Sequence, residues 1–230
     1  EPAVRSVLAL LREDSYVLSL QNGWGNAPVI ANLVGEERVL AGVTYHSATV
    51  LGPGQVLHAG QGNTFVGALV GDPERARPLV KAFISAGLDA TLAQDVRIEI
   101  WKKLALNICT LPTAALLRFP AGELVEHQGT LALMKHLLTE GVAVARAQEI
   151  PLDENERWEV VTTLLKRAKT ARASMLQDVD HQRRTEIDVI NGAIVAAGRL
   201  LGLATPYNEA MVWMVKSLEE TFVNPAKEAS

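Results

Sequence analysis

Lys103 and Asn107 stand four residues apart in Trp101-Lys102-Lys103-Leu104-Ala105-Leu106-Asn107. On a helix that spacing puts both side chains on one face. They fall at the edge of the stripe formed by Ile100, Leu104 and Leu111. An ammonium beside apolar surface loses solvation, which lowers its pKa and makes it a useful proton donor near neutral pH. The same pattern also suits a surface lysine that lays its stem along the stripe and keeps its head in water. The helical wheel separates Lys103 from Lys102 only weakly.

A second polar constellation runs from Ser174 to Glu186 and on to Asn191-Gly192. It sets charges of both signs, a serine, a threonine and an Asn-Gly pair inside a mostly apolar region, a polarity that packing does not require. On one straight helix Ser174 and Glu186 would lie ~18 Å apart. They can serve one small ligand only if the chain breaks between them. Asp178 to Arg184 is the expected break, with Thr185 as the N-cap of a new helix and Glu186 in its first turn, where a carboxylate is favoured.

Asn22-Gly23 follows a strand-like apolar run. Ligands gather at the carboxyl ends of strands in open α/β sheets, although Asn-Gly is equally a common turn pair. Gly23-Trp24-Gly25 and Gly60-Gln61-Gly62 begin like dinucleotide fingerprints, but Pro28 and Phe65 occupy the third glycine positions. Neither reads as a phosphate loop. His46 and His58 fall on neighbouring strand segments without further ligands for a metal. His127, His136 and His181 read as helix-surface or loop residues. Arg183-Arg184 reads as an anion site or a solvated charge pair.

The elements that must position these groups fall into two classes. Residues 1–95 alternate. Val4–Leu11 is a short helix, Tyr16–Leu20 a strand and Ala27–Leu33 a helix. Arg38–Tyr45 is a strand running on towards Val50. Gly52-Pro53-Gly54 turns the chain into Gln55–His58 and Thr64–Gly67. Glu74–Ala86 is an amphipathic helix and Asp89–Leu92 a last strand. From Val96 onward the pattern is helical, at roughly 96–117, 122–148, 153–176, 185–202 and 206–222. Asp153 with Glu156 forms a capping box, and Thr205 with Pro206 an N-cap followed by proline. Gly192 inside a helix costs about 1 kcal/mol unless close packing needs it. The tail Asn224–Ser230 reads as disordered.

The 230 residues are 48% hydrophobic and 21% charged, with a net charge of −4. That supports a sizeable core and offers no basic stripe for nucleic acid. No apolar run has membrane-spanning length, and residues 1–12 do not form a signal peptide. The single cysteine, Cys109, allows no internal disulfide and fits a reducing cytoplasm. It reads as a small buried apolar side chain.

Taken together, Leu20-Gln21-Asn22-Gly23, Trp101–Asn107, and Ser174-Met175-Leu176-Gln177-Asp178 continuing to Arg184–Gly192 resemble the ketopantoate reductase (2-dehydropantoate 2-reductase) family in order and spacing. The resemblance covers essentially the whole chain. It implies a fold class: an α/β partial Rossmann domain over residues 1–95, then an all-α domain over residues 96–230. It also implies NADPH-dependent reduction of a 2-oxo acid to a 2-hydroxy acid, of the pantothenate-biosynthesis type. By resemblance Lys103 gives the proton to the carbonyl oxygen, and Asn22 lies near nicotinamide and substrate and helps position that lysine. Glu186 contacts the nicotinamide end of the cofactor and the reacting region. Ser174 and Asn107 bind substrate, and the backbone of Ala48 touches the cofactor.

Two departures shape the expectations. Family chains begin with a strand and a G-x-G-x-x-G turn, and this sequence starts about 75 residues too late for them. The family's lysine before the first helix here is also missing. The polypeptide as it stands is therefore expected to leave an open sheet edge and not to bind NADPH tightly. In addition, Leu111, Ala121 and Ala171 stand where the family commonly carries Asn. A greasier pocket satisfies the hydroxyl of ketopantoate less well and points to a less hydroxylated 2-oxo acid.

Two other readings remain: a non-catalytic helical assembly module derived from the same family, and another β-hydroxyacid dehydrogenase of similar plan. Met211, Trp213, Met214 and Leu218 on the last helix offer an apolar face for a homodimer or serve as core.

Overall fold

The computed structural model describes residues 2–222. The disorder expected of Asn224–Ser230 falls outside them. The chain divides into two compact units, Glu1–Ile100 and Trp101–Ser230.

The first unit is α/β. After α1 (Pro2–Arg5) come β1 (Val17–Ser19), α2 (Asn26–Val34), β2 (Val39–Thr44), β3 (Ser47–Gly52), β4 (Gln55–Gly60), β5 (Thr64–Ala68), α3 (Arg77–Ser85) and β6 (Ala90–Leu92). Four strands form one sheet in the order β1-β2-β5-β6. The β1/β2 and β5/β6 pairs are parallel, and β2/β5 is antiparallel. Alternation along β2 decides the layers. Val39 and Ala41 pack with Ala27, Ile30, Ala31 and Val34 around α2. Leu40 packs with Val66, Ala68 and Val80 towards α3. Helices thus cover both faces, and β2 runs as a nearly continuous buried strand.

The strand expected to run from Arg38 towards Val50 is two strands. The chain leaves the four-stranded sheet after Thr44 and pairs β3 with β4 in a separate antiparallel hairpin. The Gly52-Pro53-Gly54 turn gives β3 its own partner, so it does not need β2's. Val50, Leu51, Val56 and Leu57 are exposed on this hairpin. His46 Nδ1 and His58 Nε2 lie 3.0 Å apart, so the two rings bond each other.

The second unit is helical: α4 (Val96–Leu117, which starts in the first unit), α5 (Gln128–Ala147), α6 (Glu154–Ala168), α7 (Ser174–Asp180), α8 (Asn191–Leu201) and α9 (Pro206–Glu220). Among the described residues, no helix is long and apolar enough to cross a membrane. The span 96–117 is as expected, while three others change. The helix expected at 122–148 starts at Gln128, after a 3₁₀ turn over Glu123–Val125. The helix expected at 153–176 ends at Ala168. There the carbonyls of Lys169 and Ala171 turn away to accept from Gly122 N (2.8 Å) and Ala121 N (2.9 Å). Gly122 is needed at that crossing, because a Cβ would lie 2.9 Å from Lys169 O. The helix expected at 185–202 starts at Asn191, after a 3₁₀ turn over Ile187–Val189. Thr185 does not cap it; its hydroxyl accepts from Ile187 N (3.3 Å) and donates to Glu219 Oε1 (2.6 Å).

Asp153 caps α6 by accepting from Glu156 N at 2.7 Å. Thr205 occupies the N-cap position of α9, but its side chain makes no capping bond. Glu140 of α5 does that work, accepting from Tyr207 N and Asn208 N, each at 2.9 Å. On α9, Met211 is core, whereas Trp213 and Met214 are exposed.

Candidate active site

Lys103, Asn107 and Leu111 follow one another at four-residue steps on α4 and so share a face. Lys103 is half-buried, and Asn107 and Leu111 are buried. Burial lowers the Lys103 pKa from the ordinary lysine range, and the negative charge of Glu186 works against that fall. The lysine on the first long helix and the carboxylate beyond the later break therefore share one electrostatic neighbourhood.

The break brings Glu186 there. α7 ends at Asp180, and Arg183 N returns to the carbonyl of Asp178 (2.8 Å), reversing the chain. Glu186 stands at the N-cap position of the 3₁₀ turn over Ile187–Val189, not inside the first turn of an α-helix. Ile187 and Ile190, which follow it, are fully buried and anchor the turn.

Ser174 opens α7 as a separate short helix and is exposed. Asp178 lies four residues on, along the same face. Burial raises the Asp178 pKa; Arg183 opposes the rise and the charge of Glu186 adds to it. Asp178, Glu186 and Lys103 are thus linked electrostatically within the second unit, and Ser174 lies one turn from Asp178 on α7. Sequence reasoning gave Asp178 no role. Its four-residue spacing from Ser174 was the available signal, obscured by reading Ser174 as the end of a longer helix.

Arg183 and Arg184 are exposed and pair with Asp178 (3.6 Å) and Asp188 (3.8 Å). Cys109 is buried, with its thiol donating to Ala105 O (3.2 Å) and its pKa raised by burial. Among the described residues, no group of three or more His, Cys, Asp and Glu could hold a metal ion.

Ala121 and Ala171, two of the positions expected to shape substrate choice, are held together by the bond from Ala121 N to Ala171 O. With Leu111 they offer methyl groups where side-chain amides would offer donors and acceptors.

In the first unit, Asn22 stands in the loop after β1, and its carbonyl accepts from Asn26 Nδ2 at 2.9 Å. The loop turns through Gly23 (φ 88°) and Gly25 (φ 99°), conformations that suit glycine. Gly25 precedes α2 and supplies no side-chain cap. Gln21, Gly23, Asn26, Ala41 and Gly42 line the small crevice at this end of β1. Amide side chains and glycine backbone at this crevice fit the polar edge of a nicotinamide, which carries both a donor and an acceptor. Ala48 lies apart from this loop, exposed on β3 opposite His58.

Residues 95–219 match the family model described as ketopantoate reductase PanE/ApbA C terminal, and residues 1–71 match ketopantoate reductase PanE/ApbA. The chain is 33% identical over 207 residues to the 2-dehydropantoate 2-reductase of Halobacterium salinarum, covering 89% of this chain and 67% of the relative. It is 33% identical over 218 residues to the Streptococcus pyogenes enzyme of that name, covering 94% and 71%. Among solved structures, a ternary complex of D-mandelate dehydrogenase with NADH and anilino(oxo)acetate matches with a TM-score of 0.91 and 28% identity, covering 96% of this chain and 73% of that one. A PanE/ApbA family ketopantoate reductase from Ralstonia eutropha matches with a TM-score of 0.87 and 30% identity, covering 95% and 72%. With both units matched in order and the helical unit matched nearly end to end, the chain belongs to the ketopantoate reductase PanE/ApbA family of oxidoreductases.

Proposed function

We propose that this protein reduces a 2-oxo acid to the corresponding 2-hydroxy acid, using a nicotinamide cofactor, with Lys103 as the proton donor. The carrying observation is the half-buried Lys103 ammonium held in the field of Glu186. A bound nicotinamide supplies the hydride, which no protein side chain can. Reduction builds negative charge on the substrate's carbonyl oxygen. Lys103 Nζ stabilises that charge and gives up a proton to it. Glu186 opposes the fall that burial imposes on the lysine's pKa. Asn107 and the Ser174 hydroxyl are the substrate-binding groups, and Asn22 with the Ala48 backbone the cofactor-binding ones.

The preferred substrate carries an apolar side chain. Leu111, Ala121 and Ala171 cannot hydrogen-bond a hydroxyl on the substrate. A 2-oxo acid with a hydrocarbon or aromatic substituent loses nothing there, whereas ketopantoate buries a hydroxyl without a partner. The similarity to D-mandelate dehydrogenase, bound in its structure to the aromatic anilino(oxo)acetate, supports this direction. The resemblance assigns NADPH as hydride donor, and the mandelate dehydrogenase complexes hold NADH.

The test uses a chain that also carries the strand and G-x-G-x-x-G turn with which family members begin, and follows cofactor oxidation with NADPH and NADH against ketopantoate, 4-methyl-2-oxopentanoate and phenylglyoxylate. The expected result is turnover with a higher kcat/KM for the last two, and faster reaction with NADPH. Ketopantoate as the best substrate would overturn the pocket argument. No turnover of any 2-oxo acid with either cofactor would overturn the enzyme and favour a non-catalytic helical module.

A further inference from the structure

Pro112 lies inside α4. A proline within a helix has no N–H for the carbonyl four residues back, which here belongs to Ile108, the neighbour of Asn107. That carbonyl is not left bare. Asn191 Nδ2 donates to Ile108 O at 3.0 Å. Asn191 is fully buried, and the same amide nitrogen donates to Asn208 Oδ1, also at 3.0 Å. Asn208 Nδ2 in turn reaches Leu137 O (3.2 Å) and Glu140 Oε2 (2.7 Å). One line of hydrogen bonds therefore joins α4, α8, α9 and α5.

Stability alone does not account for the Pro112–Asn191 pair. Alanine at 112 would restore the helix bond to Ile108 O, and leucine at 191 would fill the volume and remove the unpartnered Asn191 Oδ1, while taking one donor from Asn208 Oδ1. Exchanging both partners of a buried bond for apolar groups of similar shape is close to neutral or stabilising. The existing pair leaves Asn191 Oδ1 buried without a hydrogen-bond partner. What the pair adds is a link. Ile108 follows Lys103 by five residues and Asn191 follows Glu186 by five. The short 3₁₀ turn between Glu186 and Asn191 is anchored by buried Ile187 and Ile190.

We propose that Asn191 is a positioning residue: by taking the carbonyl that Pro112 releases, it fixes the Glu186 segment against the helix that carries Lys103. This rests on the reading of Lys103 as proton donor. The charge of Glu186 acts on Lys103 and also on Asp178, where Arg183 opposes it. Loosening the link weakens Glu186's hold on the Lys103 proton, and Lys103 then titrates at lower pH.

The test compares wild type with Pro112→Ala/Asn191→Leu and, should that variant not fold, Pro112→Ala/Asn191→Ala, in the full chain. Both are designed to leave no orphaned Ile108 carbonyl. The expected result is a folded protein whose kcat falls about tenfold to a hundredfold, the usual scale for a misplaced catalytic group. KM should change little, and the basic limb of the kcat–pH profile should move to lower pH. The Lys103 side-chain NMR titration should move the same way, and this arm needs no turnover. If wild type shows no reductase activity, the functional reading fails while that titration still decides the link. Unchanged kcat and an unchanged Lys103 titration in the folded variant would overturn the proposal. So would an unchanged Lys103 titration alone, because a merely structural amide would lower stability and leave the lysine as it was.

Discussion

Lys103 and Glu186 are 83 residues apart in sequence and share one electrostatic neighbourhood, where burial pulls the lysine's pKa down and the carboxylate holds it up. The carboxylate offsets part of the penalty that burial puts on the ammonium.

Replacing Glu186 by Gln removes only the upward influence. Lys103 then loses its proton at a lower pH. A step that needs the ammonium is at full rate below the lysine pKa and fades above it. The basic limb of the kcat–pH profile is therefore expected to move to lower pH in Glu186→Gln, with the largest loss on the alkaline side. Steady-state rates across pH check this; a limb that stays in place or moves upward contradicts it. Asp178, whose pKa Glu186 helps to raise, should titrate lower in the same variant.

Restoring amides should restore selectivity for a hydroxylated substrate. Leu111→Asn, alone and with Ala121→Asn and Ala171→Asn, is expected to raise kcat/KM for ketopantoate relative to 4-methyl-2-oxopentanoate. One recovered buried hydrogen bond is worth roughly 1–3 kcal/mol, about tenfold to a hundredfold. Competition assays with both acids read the ratio directly. A ratio that does not move would remove these positions from the substrate pocket.

Glu140 is expected to matter for folding more than its place on α5 suggests. Its carboxylate takes the first two free N–H groups of α9 and the Asn208 amide. Glu140→Ala exposes all three at once and should cost about 2–3 kcal/mol by urea unfolding, somewhat more than a single lost cap. Thr205→Val, at the position where sequence suggests the cap, should cost less than 1 kcal/mol by the same reasoning. A reversed order would contradict the assignment.

Gly141 reports how closely α4 and α5 approach. A Cβ there would come within 2.3 Å of Ile108 Cδ1, the side chain beside the Pro112 gap. Gly141→Ala should destabilise by about 1–3 kcal/mol through overpacking, read as a lower Tm. An unchanged or higher Tm would show that Ile108 can move aside.

The long helix from 96 to 117 was legible because its apolar residues recur at helical spacing. Pro112 did not end it, since a side chain far away in sequence supplies what proline removes. The breaks at Lys169–Ala173 and Thr185–Ile190 were misplaced for the same kind of reason. In the first, carbonyls leave α6 to serve the amides of Ala121 and Gly122, a pairing across nearly fifty residues. In the second, Thr185 looks like a local cap, but its hydroxyl and N–H are both taken up by Glu219. Local propensity fixes what a segment can do; distant partners chose where these helices start. Lys103, Asn107, Ser174 and Glu186 could be picked out because each is a polar residue in an apolar setting. Asp178 could not, because its meaning depends on α7 being a separate helix.

The most direct test of Lys103 as proton donor compares wild type with Lys103→Ala in the chain that also carries the family's G-x-G-x-x-G turn, using the preferred apolar 2-oxo acid and saturating cofactor. The expected result is a kcat lower by about 10²–10⁴, the usual contribution of a general acid, with folding intact by circular dichroism. A folded Lys103→Ala protein with an unchanged kcat would contradict the account.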